Sequence, residues 1–189
     1  MSRDTAHDIL DFWFGAPGSV HHGKSRAEWF KKSADFDALI RSRFLPLLEQ
    51  AAAGQLAHWR DSPLTLLALI IVLDQFPRNL FRESPRAFGA DAMALDCARR
   101  MTAMQWDERL NSIERQFAYL PYEHAETIEA QHESMRLFAT LGNDNLLEWA
   151  RKHYVIVERF GRFPHRNAVL GRASTPEELA FLKQPGSRF

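Results

Sequence analysis

Three ionisable side chains fall where a helix would carry apolar ones. His124 shares helical spacing with Ile128, Gln131, Met135 and Phe138, and His153 with Leu146, Ala150, Val157 and Phe160. Asp74 continues the face of Leu67, Ile70 and Ile71. Side chains so placed point inward and need partners there. Two arrangements satisfy them. In the first, a polar site forms: His124 or His153 is the acid or base, and Glu126 or Asp74 orients it. Arg78, Arg166 and Arg172 then hold a small anionic substrate, with Asn79, His165 and Asn167 beside them. In the second, the same residues are a polar network that locks helix packing, and the arginines staple bare helix ends and internal carboxylates.

The arginines stand in a pattern that occurs twice. Residues 70–82 read IIVLDQFPRNLFR, and residues 155–172 read VIVERFGRFPHRNAVLGR. Each copy has an apolar helix end, then Phe-Pro, Arg-Asn and a further Arg, and each is followed by a capping residue and proline (Ser84-Pro85, Thr175-Pro176). Proline lacks an N–H and restricts its predecessor, so a helix is expected to stop at each Phe-Pro. Asn tolerates a left-handed turn. The Arg fork suits carbonyls, carboxylates or phosphate. The copies lie about half a chain apart, which suggests an internal duplication with halves of about 1–88 and 89–189 in one helical domain, 1–189.

Other chemistries find less support. Glu123, His124, Glu126 and His132 are close in sequence, but no HExxH pair is present, and residues two apart on a helix do not share a face. No metal and no cofactor is expected. Cys97 recurs with Met93, Met101 and Met104 at helical spacing, which reads as packing. Ser112 and Ser134 have no GxSxG around them, and neither GxGxxG nor a P-loop occurs. His21-His22 sits in a glycine-rich loop.

Helices must position these residues. The chain has 24 Ala and 22 Leu against 5 Val, 7 Ile and 6 Thr, a helical composition. Residues 5–14 form a first helix on the stripe of Ile9, Leu10, Trp13 and Phe14. Ser25 with Glu28 reads as a capping box before a short helix, and Ser33 caps 34–53, which contains Pro46 and ends before Gly54. Ser62-Pro63 opens 64–75, apolar nearly all round and therefore central. Ser84-Pro85 starts an element running to about Met104. A helix at 111–118 is separated by Leu120-Pro121 from a long one at 122–141. Gly161 closes 145–160, and a capping box at Thr175–Glu178 opens the last helix.

Composition narrows the partners. Lys+Arg and Asp+Glu are 24 each, so the net charge is zero, which argues against nucleic acid. The longest apolar run, Leu64 to Leu73, is short of the ~20 residues a membrane helix needs, so no membrane partner is expected. One cysteine forms no internal disulfide, and no basic start precedes a long apolar run, which suits a cytoplasmic protein. The 14 Phe and 5 Trp allow a second class of function, a groove between helix pairs that holds a peptide or protein partner. Oligomeric state is not legible.

The sequence also resembles a known family. LDQFPRNLFR at 73–82, LPYEHAE at 120–126, RFGRFPHRNAVLGR at 159–172, STPEE through Glu178 and ILDFWFG at 9–15 are similar to motifs of the bacterial domain-of-unknown-function family 924. So is the helix around Phe36 to Phe44. The resemblance covers nearly the whole chain. It implies an all-α fold of about eight or nine helices, an array of antiparallel pairs similar to tetratricopeptide repeats, and it implies no activity. Ala125 stands where the family often has Ser, and Tyr122 where it has Leu, so a role for that hydroxyl does not carry over.

Overall fold

A computed structural model of the chain describes residues 5–187. Among the described residues there is no strand. The α-helices are α1 (Thr5–Phe14), α2 (Ala34–Ala52), α3 (Pro63–Ile70), α4 (Phe76–Leu80), α5 (Asp91–Ala103), α6 (Ser112–His124), α7 (Ile128–Ala139), α8 (Asp144–Phe160) and α9 (Pro176–Phe181). The chain forms two compact units. The first is Met1–Arg82 with Arg86–Pro121, and the second is Glu83–Pro85 with Tyr122–Phe189.

In the first unit α3 is the centre, with α1 and α5 packed on it and α2 on α4. Leu66 to Leu73 are buried without a break, as their all-round apolarity requires. Aromatic rings fill the space around them. Trp13 meets Phe117 edge to face at 5.5 Å, and Phe44 stacks on Phe76 at 5.4 Å. Such rings bury large areas and favour these offset and edge geometries. The run Pro63–Leu80 is long and apolar enough to cross a membrane by composition, but 78% of it is buried inside the protein, as in a core helix.

The first Phe-Pro does not end its helix. Between α3 and α4 lies a π turn, Ile71–Gln75, in which the Phe76 N–H bonds the Ile71 carbonyl, five residues back. The widened turn shifts the hydrogen-bond register, so Pro77 falls at the start of α4, where its missing N–H is not needed. At the second copy the helix does stop. Gly161 takes a left-handed φ of 68° and closes α8, and Pro164 opens a single 3-10 turn, Pro164–Arg166. The two copies share residues but not backbone.

In the second unit α7 and α8 form a hairpin across a four-residue connection. Ile156, Val157 and Phe163 make its apolar centre, and Phe160 meets Phe181 of α9 at 5.0 Å. The Thr175 cap is present in both directions, with Thr175 accepting from Glu178 N–H and the Glu178 carboxylate accepting from Thr175 N–H.

Three further boundaries differ from the sequence reading. The element expected from Ser84-Pro85 to about Met104 is a 3-10 turn, Pro85–Ala87, followed by α5 only from Asp91. Pro121 lies inside α6, and the break comes at residues 125–127, where Thr127 caps α7. His124 and Gln131 therefore sit on different helices. Ser25 does not cap the short turn at Ala27–Trp29. Arg26 lies there instead, and its guanidinium donates to the Phe12 and Trp13 carbonyls at the end of α1, at 2.6 and 3.2 Å.

Candidate functional site

The first echo is tied to its own unit. Arg78 forms a two-pronged pair with Asp91 of α5, with Nη1–Oδ1 and Nη2–Oδ2 both 2.9 Å, and Nη1 also donates to the Asp74 carbonyl at 2.6 Å. The Asp74 carboxylate lies 3.3 Å from the same nitrogen and accepts from Gln75 Nε2 at 2.5 Å. Burial works against the guanidinium's charge, but Asp74 and Asp91 outweigh it and raise its pKa. Asn79 donates to Asp37 of α2 at 2.8 Å, and Arg82 grips the same carboxylate at 3.0 Å. These bonds join α4 to α2 and α5, which is the staple arrangement.

The second echo is richer. Arg172 donates to both oxygens of Glu126 (2.6 and 2.9 Å), to the Phe163 carbonyl (3.1 Å) and to Asn167 Oδ1 (2.9 Å). Glu126 also accepts the Phe163 N–H at 2.7 Å. Burial pushes the Glu126 pKa up, and Arg172, the Phe163 N–H and Arg166 together bring it below the ordinary value. Asn167 donates to Ser174 Oγ at 3.0 Å and to Glu178 at 3.3 Å. Arg162 holds both oxygens of Glu178 (2.6 and 2.9 Å), and with the Thr175 N–H it lowers that carboxyl to about 2. The FPHRN turn is thus fastened to the end of α6 on one side and to α9 on the other.

Inside this frame lies a cluster around the Phe163 ring. Arg166, buried, sits over the ring at 4.6 Å. His153 meets the ring edge to face at 5.5 Å, and His165 is tilted to it at 5.7 Å. His124 lies 6.3 Å from His153 between ring centres. His153 and Arg166 are buried, and His124, His165, Glu126 and Arg172 are partly exposed, so the cluster grades from interior to solvent.

The orientation of His153 is fixed by its neighbours. Its Nδ1 is 2.9 Å from the Trp149 carbonyl, which can only accept, so Nδ1 carries the proton. The Glu123 carboxylate is 3.3 Å from the same nitrogen. Nε2 is then the basic nitrogen. Burial lowers the pKa to about 3, and His124, Arg166 and His165 push the same way against the Trp149 carbonyl, so the ring is neutral at pH 7.

The structure brings together His124, Glu126, His153, His165, Arg166, Asn167 and Arg172 in the second unit, while Asp74, Arg78 and Asn79 belong to the first. The carboxylate beside His153 is Glu123, not Glu126 or Asp74. Glu126, in the break after α6, is engaged by Arg172 instead, which stands five residues after Asn167 where Arg82 stands three after Asn79. The Phe-Ala-Tyr-Leu-Pro-Tyr stretch before Glu123 is buried, and a glutamate extending such a run is the signal that could have found it. Among the described residues no group of three or more His, Cys, Asp or Glu side chains is placed to hold a metal ion. Cys97 is buried and its thiol is pushed up to about 11 by burial, the state of a packing residue.

The motifs that build this frame are shared with other proteins. A solved structure of a protein of unknown function from Agrobacterium tumefaciens is similar over 94% of this chain and 96% of its own, at 40% identity and a TM-score of 0.85. No curated protein matches the chain. The model of the family described as "Bacterial protein of unknown function (DUF924)" matches residues 9–186, a span that includes both echo turns and the helix end carrying Glu123 and His124, and the chain therefore belongs to that bacterial family.

Proposed function

We propose that the second unit binds a small anionic metabolite at the Phe163 cluster, and that His153 serves it as a general base. The observation that carries this reading is the pinned imidazole. Its Nδ1–H is directed at the Trp149 carbonyl with Glu123 beside it, which leaves Nε2 as the proton acceptor next to Arg166 and two further imidazoles. A guanidinium and imidazole N–H groups suit a carboxylate or phosphate. A bound anion favours the imidazolium and raises the ring's pKa from about 3 toward the working range, so Nε2 gains basicity with the ligand in place, and hydrolysis of that ligand is the reaction it would serve. The α7–α8 hairpin supports a helix-pair architecture of the tetratricopeptide type, and the buried single thiol suits a cytoplasmic location. Phe30 and Trp149 are exposed in different units, and Lys152 covers Trp149 at 4.2 Å, so the peptide groove gains no support from them.

A thermal-shift screen tests the proposal, using inorganic phosphate, phosphorylated metabolites and di- and tricarboxylates, each against a matched salt control. A ligand at 100 times its Kd stabilises by about 2.7 kcal/mol, which is a readable shift. The expected result is a hit that Arg166→Gln abolishes and Arg78→Gln leaves intact. A hit insensitive to Arg166, or a blank panel, overturns it.

A further inference from the structure

We propose that Gln131 is the positioning residue of the Glu123–His153 pair, an inference that rests on the reading of that pair as the site's base. Gln131 lies on α7 and is fully buried. Its Nε2 reaches three carbonyls at the end of α6: Glu123 at 2.7 Å, Ala125 at 2.8 Å and Tyr122 at 3.3 Å. The last carbonyls of a helix have no partner of their own. An amide has two N–H groups, so one of them is shared among these three acceptors. A single side chain thus satisfies the helix end that carries both Glu123 and His124.

The choice of Gln follows from this geometry. A carboxylate at 131 would face three carbonyl oxygens with acceptors only, and an apolar side chain would take the Gln131 donor from the Glu123 carbonyl at the buried end of α6. Gln131 also completes the path from α7 to the base. Its amide fixes the Glu123 backbone, the Glu123 side chain lies 3.3 Å from His153 Nδ1, and α7 and α8 pack along their length. Its remaining atom, Oε1, is buried with no hydrogen-bond partner among the described residues, as is Ser134 Oγ at the i+3 position on the same helix. The amide is therefore oriented by its N–H side, toward α6. Pro121 lies inside α6 two residues before Glu123, and a proline inside a helix lacks one backbone bond, which makes an external clamp at this end more necessary.

The test needs no ligand, so its failure is separate from failure of the anion screen. Nitrogen-15 NMR of the imidazoles follows His153 through a pH titration in wild type, Gln131→Met and a control, Asn143→Ala. Asn143 caps the start of α8 and its loss weakens that helix without touching α6. The expected result is a His153 midpoint at least one pH unit higher in Gln131→Met and unchanged in Asn143→Ala, because loosening the end of α6 admits water to the ring. Should Met at 131 prevent folding, Gln131→Asn keeps the amide one methylene short and is expected to shift the midpoint in the same direction. A His153 titration identical in wild type and the Gln131 variant that folds, or one moved equally by Asn143→Ala, overturns the assignment.

Discussion

The neutral state of His153 makes acid stability a direct probe of the site. Two influences compete at this ring. The Trp149 carbonyl, which accepts from Nδ1 at 2.9 Å, favours the imidazolium, and the Glu123 carboxylate lies 3.3 Å from the same nitrogen, whereas burial, with His124, Arg166 and His165 nearby, favours the neutral form and prevails, lowering the pKa from 6.5 to about 3. The unfolded chain therefore binds a proton below pH 6.5 that the folded chain refuses. Stability is full above the unfolded pKa, and it falls as the pH drops from there toward the folded one. Each pH unit in that window costs about 1.4 kcal/mol, so about 2 kcal/mol is lost by about pH 5 on account of this one ring. His153→Asn keeps a donor near the Nδ1 position for the Trp149 carbonyl and cannot titrate. Urea unfolding of both proteins at about pH 7, 6 and 5, followed by tryptophan fluorescence at matched m-values, gives the difference. The variant is expected to be less stable at neutral pH but to lose about 2 kcal/mol less on acidification. Parallel losses in the two proteins would refute a buried neutral His153, and a wild type that gains on the variant as pH falls would show that Glu123 wins the competition.

Four further outcomes follow from the bonds described. Arg172→Ala removes the charge that pairs Glu126 and the bonds to Asn167 and the Phe163 carbonyl, and should cost about 2–3 kcal/mol in urea unfolding, reduced for partial exposure of the pair. That penalty should shrink on acidification, because a lowered carboxyl contributes its full stability above the unfolded value of 4.5 and loses it as the pH falls from there through the lower folded pKa. Arg78→Ala should lower the melting temperature without affecting anion binding, since its guanidinium is engaged by Asp91 and Asp74. Cys97 should resist alkylation in the native protein at about pH 8 and react once urea unfolds it, and rapid labelling of the folded chain would contradict its burial and raised pKa. Tyr119, which donates to Asp107 at 2.6 Å, is pushed up to about 12 by burial, so Tyr119→Phe should remove a tyrosine that ionises only near that pH in an ultraviolet titration.

Much of the fold was readable where a local rule decides. Ser33, Ser62-Pro63, Gly161 and Thr175 with Glu178 all act at helix ends as their residue types require. The uniform apolarity of Leu66 to Leu73 marked a central helix. The misses have tertiary causes. Pro77 and Pro121 were expected to break helices, but the π turn absorbs the first, and the second lies within α6, whose end carbonyls Gln131 satisfies from outside. Neither device has a local signature. At the site, the inward faces of Asp74 and His153 were legible from spacing, and so was the pairing capacity of the arginines. Which carboxylate meets which cation was not, because Glu126 with Arg172 and Glu123 with His153 are joined across 46 and 30 residues of chain by the packing of α6, α8 and the FPHRN turn.

The anion site is tested most directly by watching its own histidines. Imidazole resonances of the wild-type chain are recorded while each anion that stabilises the protein is added, with His58 of the first unit and exposed His132 as internal references. The expected result is saturable shifts at His124, His153 and His165 with the references unmoved, and their loss in Arg166→Gln. Anions that stabilise the protein yet leave those three resonances in place, or move only the references, would contradict it.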